Sequence, residues 1–202
     1  MKNFIILISF YLLPLQLFSQ SAKSDRFDFG LSFGSVFPGK IQAADHIDFK
    51  PSETYNFRNN QCLLIKGMAD YFILPYLSGG ICINYVPIKL QDTYDIGLNN
   101  ITINMVEADA TIKGRFWATE KLAFKPGISI GYRQTFSSFP DAREKGFCLN
   151  AGLETQFYFW KKIFLLFDIG FFTQPYGGVQ DVVYVRAGPV FYANIGFGIN
   201  IK

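Results

Sequence analysis

The sequence is poor in charge, histidine and cysteine, and this excludes several classes of site. Charged residues make up 17% of the chain, whereas soluble domains carry roughly 25%. The single histidine, His46, stands beside no second histidine, and Cys62, Cys82 and Cys148 are too widely spaced for a CxxC pair or a disulfide framework. We therefore predict no metal, cofactor or catalytic site, with the cysteines as apolar fillers or partly exposed thiols.

The chain also lacks any long apolar run after its first 20 residues. Each later apolar stretch is interrupted within a few residues by a charged residue, Asn or Gly, whereas a membrane-spanning helix needs about 20 apolar residues. Helical membrane spans are therefore excluded. The net charge of +3 is spread along the chain without a basic cluster, so we expect no nucleic-acid partner.

The first 20 residues have the features of a secretory signal peptide. Lys2 is followed by the apolar run Phe4–Leu13, and the segment ends in small and polar residues around Ser19. We predict cleavage near residues 19–20. The chain is then a signal peptide, residues 1–20, and a single domain, residues 21–202.

The rest of the sequence is rich in apolar residues that alternate with polar ones. Half of all residues are hydrophobic and 18% are aromatic. In Arg26–Gly34, Phe and Leu alternate with Asp, Ser and Gly, which is the period-two pattern of a β-strand with one apolar face. Seven further strands are predicted in the same way: Leu63–Ile73, Leu77–Tyr85, Ile101–Trp117, Phe124–Phe136, Leu149–Tyr158, Leu165–Phe171 and a last strand that ends at Ile201 and begins between Val182 and Ile195.

The connections between these strands alternate in length. Short ones fall at residues 74–75, 118–121 and 160–162, and long ones at Pro38–Gln61, Pro87–Asn100, Ser137–Gly146 and Gln174–Asp181. Short periplasmic turns and long external loops are typical of outer-membrane barrels. The sequence therefore predicts an all-β fold, an eight-stranded antiparallel up-and-down transmembrane β-barrel.

The charges indicate which face of the barrel is inside. Alternation alone does not decide this, because a soluble lipocalin-like barrel also has eight strands but turns its apolar face inward. The polar face carries six acids and five bases, which can neutralise each other in a narrow lumen, whereas unpaired buried charge is costly. We predict a lumen ion-pair network made of Asp28, Lys66, Asp70, Glu107, Asp109, Lys113, Arg115, Lys125, Arg133, Glu154 and Asp168.

Aromatic residues gather beside the short turns. In an outer-membrane barrel such residues form a girdle at the membrane interface, while in a lipocalin-type barrel they would fill the core. We predict a periplasmic aromatic girdle of Tyr71, Tyr76, Phe116, Trp117, Phe124 and Trp160, with Phe72, Phe157, Phe159 and Phe164 beside it.

Two segments carry a family resemblance. The stretch Leu98–Ala108, followed by Lys113–Phe116, and the hairpin Ala69–Gly80 resemble the outer membrane protein β-barrel domain family, which includes PorT-like proteins and small OmpA- and OmpX-like barrels. The resemblance implies a barrel in the outer membrane of a Gram-negative cell, and it says little about activity. The sequence departs from such barrels in ending Asn200-Ile201-Lys202 rather than in an aromatic residue.

An enzymatic role would depend on His46, the single histidine. Small barrels include lipid A acyltransferases and deacylases, which by resemblance use His with Ser and an acidic residue, and His46 has Asp45, Asp48, Ser35 and Ser52 nearby. No nucleophile motif such as GxSxG accompanies it, and the carboxylates of Glu107 and Asp109 are better explained by lumen ion pairs. We predict that the chain is not an enzyme.

The leading hypothesis is a structural or interaction barrel whose external loops, above all Pro38–Gln61, meet an envelope or extracellular protein. Its other partner is outer-membrane lipid, and we expect a monomer. A passive, porin-like pore is an alternative, although eight strands leave room only for side chains. A PorT-like part in a secretion machine is another.

Overall fold

The computed structural model describes residues 26–37, 41–45, 55–91, 101–137, 145–173, 183–187 and 190–201. In this part of the chain no helix has the length and hydropathy of a membrane span. The chain here forms eleven β-strands: β1 (Phe27–Phe37), β2 (Ile41–Asp45), β3 (Tyr55–Leu74), β4 (Leu77–Gln91), β5 (Ile101–Gly114), β6 (Phe116–Trp117), β7 (Leu122–Ser137), β8 (Lys145–Tyr158), β9 (Ile163–Phe172), β10 (Val183–Ala187) and β11 (Val190–Ile201).

Eight of these strands form a closed antiparallel barrel. Their order around the wall is β1, β3, β4, β5, β7, β8, β9 and β11. The barrel closes because β1 pairs with β3 on one side and along its whole length with β11 on the other, from Phe27 opposite Ile201 to Phe37 opposite Phe191. The predicted eight-stranded antiparallel barrel is confirmed.

Alternation along each strand sorts the side chains between the two faces of the wall. Successive residues of a strand point to opposite faces, and in β1 the outward Phe29 and Leu31 are 41% and 49% exposed while the inward Asp28 and Ser32 are fully buried. The other barrel strands follow the same rule. The apolar face is therefore outside and the polar face inside, which is the reverse of a lipocalin.

Three short turns join neighbouring strands at one end of the barrel, which we call the turn end. Pro75 and Tyr76 join β3 to β4, residues 118–121 join β6 to β7, and residues 159–162 join β8 to β9. In the second of these, the Thr119 hydroxyl accepts hydrogen bonds from two backbone N–H groups of the same turn. All three turns lie where the sequence predicted short connections.

The strands are longer at the opposite end, which we call the loop end. β3 begins at Tyr55, inside the predicted loop Pro38–Gln61, and β4 continues to Gln91, inside the predicted loop Pro87–Asn100. These two extensions pair with each other. The predicted loops were too long because backbone pairing continues beyond the residues that alternate in polarity.

The loop end also carries a small sheet made by two distant connections. β2 pairs with β10, from Asp45 opposite Val183 to Ile41 opposite Ala187, and its other edge pairs with the start of β3. The first and the last long connections are thereby joined by backbone hydrogen bonds. The apolar stretch before the last strand is thus divided between β10 and the start of β11.

Barrel closure can be tested by a disulfide across the seam between β1 and β11. In a chain with its three cysteines replaced by Ala, we expect Leu31→Cys and Phe197→Cys to cross-link, because the two residues are opposite each other and opposed Cα atoms lie about 4.5–5.5 Å apart, within disulfide range. Gel mobility without reductant measures the product. Leu31→Cys with Phe191→Cys, roughly 20 Å away along β11, is the control, and equal cross-linking of both pairs would contradict the register.

Candidate functional site in the lumen

The lumen, the space enclosed by the eight strands, is the part of the molecule where chemically active side chains meet. All eleven charged residues predicted for it point inward. Ten of them form ion pairs, and the side chains of these ten are at most 11% exposed. Charges removed from water in this way must be paired and hydrogen-bonded to be tolerated. The lumen meets this requirement through ion pairs and hydrogen bonds between strands.

Lys125 is the centre of the cluster nearest the turn end. Its Nζ lies 3.0 Å from Asp28, 2.7 Å from Asp70 and 3.4 Å from Glu154, and its side chain is fully buried. Lys113 bridges the same Asp70 and Glu154 at 2.9 Å each. Two lysines from β5 and β7 therefore hold together carboxylates from three other strands.

Asp28 has the largest number of partners in this cluster. Besides Lys125, its carboxylate accepts hydrogen bonds from Arg115 at 2.8 Å, from the Gln156 amide at 3.0 Å and from the Asn200 amide at 2.6 Å. Charge-assisted hydrogen bonds are about twice as strong as neutral ones. β1 is thus tied through one carboxylate to β7, β8 and β11 and to Arg115, which lies between β5 and β6.

A second group of polar contacts lies nearer the loop end. Arg133 pairs with Glu107 at 2.6 Å, and the Asn150 amide donates to Glu107 at 2.6 Å and to Asp109 at 3.2 Å. The Asn84 amide donates to the other oxygen of Asp109 at 2.9 Å. Of the six carboxylates in the network, Asp109 is the one that has no Lys or Arg nitrogen within 4.0 Å among the described residues. The amides of Asn84 and Asn150 take the place of a base.

Lys66 and Asp168 form a separate pair at mid-height. Lys66 Nζ lies 2.5 Å from Asp168 Oδ2, and it also donates to the Tyr192 hydroxyl at 3.3 Å. Around this pair, Asp109 and Glu154 line a polar cavity of about 40 Å³. A polar space of this size holds a few water molecules.

Buried apolar side chains share the lumen with the charges in two clusters. Near the loop end they are Val36, Leu64, Val86, Met105, Phe172 and Tyr192. Near the turn end they are Met68, Ala123, Tyr158, Phe164 and Leu166. Charged, amide and apolar side chains together therefore occupy much of the space inside the eight strands.

Two glycines of the polar face make room for neighbouring side chains in the lumen. A Cβ at Gly131 would overlap the carboxylate of Asp109, and a Cβ at Gly198 would overlap the ring of Phe164. Glycine is needed wherever another group approaches the backbone this closely. These glycines therefore leave room in the lumen for the side chains of the residues opposite them on the neighbouring strands.

The structure places the six predicted girdle residues in two kinds of position. Tyr71, Tyr76 and Trp160 are 46%, 44% and 68% exposed, and the half-buried Phe116 and Phe124 lie opposite each other on β6 and β7. Trp117 differs, because its half-buried ring packs against the apolar cluster at the turn end of the lumen. Trp117 thus lies against the lumen rather than on the outer surface.

Phe72 and Phe164, which the same clustering placed beside the girdle, also point inward. The guanidinium of Arg115 lies 3.4 Å from the centre of the Phe72 ring, and Phe164 is fully buried beside Tyr158. A cation over a ring face is a favourable contact. The alternation itself could have shown this, since both residues fall on the polar phase of their strands.

The described residues contain no cluster of three or more His, Cys, Asp or Glu that could hold a metal ion. Cys82 and Cys148 are buried free thiols. The histidine considered for lipid A chemistry, His46, and its neighbours Asp48 and Ser52 lie outside the described residues. The lumen carboxylates are occupied by bases and amides, so the arrangement is suited to holding the wall together.

Comparison with known proteins relates the chain by its fold. No family model and no curated protein matches the sequence. Among solved structures it is similar to the outer membrane protein OprG from Pseudomonas aeruginosa, with 12% identity, a TM-score of 0.67 and 89% of this chain and 97% of that chain covered. It is also similar to the outer membrane protein AlkL in lipid bilayers, with 13% identity, a TM-score of 0.59 and coverage of 91% and 94%. These similarities show a shared barrel fold, and the PorT-like resemblance stays a prediction.

Removing the central lysine tests the energetic weight of the network. We expect Lys125→Met to lower the free energy of unfolding by about 3 kcal/mol or more, because it leaves buried carboxylates with too few cations. Reversible urea unfolding in lipid vesicles measures the change. Lys145→Met, an exposed lysine at the start of β8, is the matched control and should change stability by less than about 0.5 kcal/mol. Equal effects of the two variants would show that the lumen charges contribute little.

Proposed function

We propose that the chain is an integral outer-membrane barrel that acts through its external loops, in a structural or interaction role, while side chains plug its lumen. The outer wall supports insertion, since Ile73, Ile128 and Phe197 are each more than 60% exposed within a continuous apolar face. Soluble monomers rarely expose apolar patches larger than a few hundred Å². Lipid is therefore the solvent that this surface fits.

The topology supports one orientation in that membrane. An even number of strands leaves the start of β1 and the end of β11 together at the turn end, and outer-membrane barrels place their short turns in the periplasm. The long connections then face outward from the cell. We propose that residues 1–20, which lie outside the described residues, are the signal peptide that directs export.

The observation that carries the interaction role is the filled lumen. The paired charges line a cavity of about 40 Å³, and two clusters of buried apolar side chains share the lumen with them. Eight-stranded barrels have interiors just wide enough for side chains, and aqueous channels accompany about 16 strands. This argues against a passive pore, and the mutual pairing of the lumen carboxylates argues for a role other than catalysis.

The small sheet at the loop end offers a surface for a partner. β2 and β10 are joined over five residue pairs and are continued by the start of β3. Pairing of this kind holds two long connections in a fixed relation to the barrel, and loops on a rigid scaffold are common binding sites. We propose an envelope or extracellular protein as the partner, bound by a barrel monomer.

Planar-bilayer recording tests the closed lumen. We expect purified protein that has inserted into the bilayer to give no discrete conductance steps, because buried charged and apolar side chains occupy the lumen. Folding is verified separately on a denaturing gel, where the folded protein in an unheated sample keeps a band distinct from that of a heated sample. Steps that scale with the amount of folded protein, and that disappear after heat denaturation, would favour the pore instead.

Photo-cross-linking in intact cells tests the loop-end surface. A photoreactive residue at Ala44 of β2 or Tyr184 of β10, which are opposite each other, should give a recurrent adduct of defined mass. The same residue at the outward-facing Ile130 is the control and should give none. Absence of adducts at both loop positions, or identical adducts at all three, would contradict the proposed role.

A further inference from the structure

The rim of the barrel at the turn end carries an excess of positive charge. Of the side chains whose exposure the structure describes, six charged ones are exposed, and five of these lie at the turn end: Arg26, Glu120, Lys121, Lys161 and Lys162. They amount to four bases against one acid. The sixth, Lys145, lies at the loop end.

Three of the four bases are brought together by backbone contacts between neighbouring turns. The backbone N–H of Tyr158 donates to the carbonyl of Lys121 at 2.7 Å, which holds the turn at residues 118–121 against the end of β8. Lys161 and Lys162 follow in the turn directly after β8. None of these lysines takes part in an ion pair among the described residues.

The same rim carries exposed aromatic rings. Trp160, 68% exposed, directly precedes Lys161, and its ring lies 5.2 Å from that of Phe159, which is 39% exposed. Aromatic rings prefer the boundary between apolar chains and water, and long basic side chains extend from that boundary toward polar groups. Exposed rings and exposed bases therefore stand side by side on this rim, which is the combination that suits the boundary between acyl chains and headgroups.

We propose that this basic and aromatic rim binds anionic phospholipid headgroups of the leaflet next to the turns, with Lys121, Lys161 and Lys162 as the phosphate-contacting residues. A soluble anionic polymer would explain the lysines but not the exposed rings beside them. The inference rests on the proposed membrane location, which puts the turn end at a lipid surface. It adds a preference for one class of lipid.

Fluorescence quenching at Trp160 tests this proposal directly. The protein carries Trp117→Phe, so that Trp160 is the remaining tryptophan, and is reconstituted in phosphatidylcholine vesicles that contain a minor fraction of brominated phosphatidylglycerol or, separately, brominated phosphatidylcholine. We expect phosphatidylglycerol to be enriched at Trp160 about fivefold or more, the factor that corresponds to the attraction of one basic side chain to an anionic lipid surface. Added salt should reduce the preference, because it screens exposed charges.

Variants assign the effect to the lysines. Lys161→Gln with Lys162→Gln should lose most of the preference, while Lys161→Arg with Lys162→Arg should keep it, and Lys145→Gln at the loop end should leave it unchanged. If the Gln variant does not fold, the salt dependence of the parent protein still tests the proposal. A lipid preference that is insensitive to salt would overturn the claim that the rim attracts anionic headgroups electrostatically. A preference that survives both Gln substitutions would overturn the assignment to these lysines.

The outcomes also separate this inference from the proposed function. Equal quenching by the two brominated lipids would overturn lipid selection while leaving the barrel in the membrane. Absence of quenching by either lipid would show that Trp160 is not in contact with a bilayer, and the proposed membrane location would fail with it.

Discussion

The mutual neutralisation of charges inside the barrel is the interaction on which the rest of the structure depends. A strand whose residues alternate must turn one of its two faces inward, and here the inward face carries carboxylates, lysines and arginines. The ion pairs centred on Lys125 join residues that are far apart in sequence, such as Asp28 and Glu154. The closed wall and the polar lumen are therefore one structure, because neither is stable without the other.

This constraint leaves the apolar residues of each strand on the outside, where only lipid can cover them favourably. The charges inside the barrel are largely removed from bulk water, and a lower local dielectric strengthens their pairs. A barrel filled in this way has little use for its interior beyond stability. The recognition that we propose therefore involves its two ends, the loop-end sheet and the turn-end rim.

The barrel and the inward position of all eleven charged residues could be predicted from the sequence, because a period of two determines the face of every side chain on a strand. For Trp117, Phe72 and Phe164 the prediction of an interfacial position relied on their clustering near a turn. Their place in the alternation along each strand indicates instead that they point inward. Which base meets which acid, and the pairing of β2 with β10, could not be predicted. The ion pairs join residues 26 to 102 positions apart on different strands, and β2 and β10 lie in the first and last long connections, so no local pattern records either set of contacts.

The central claim is that apolar side chains meet lipid and polar ones meet each other, and spin labels on neighbouring residues of a strand test it most directly. Labels would be placed at the outward Ile112 and Ile130 and at the inward Thr111 and Ser129 of cysteine-free protein in lipid vesicles. The account predicts frequent collisions with lipid-soluble oxygen at the outward pair and shielding from oxygen and from a water-soluble relaxation agent at the inward pair. Shielded labels at Ile112 and Ile130, together with inward labels open to the water-soluble agent, would contradict it.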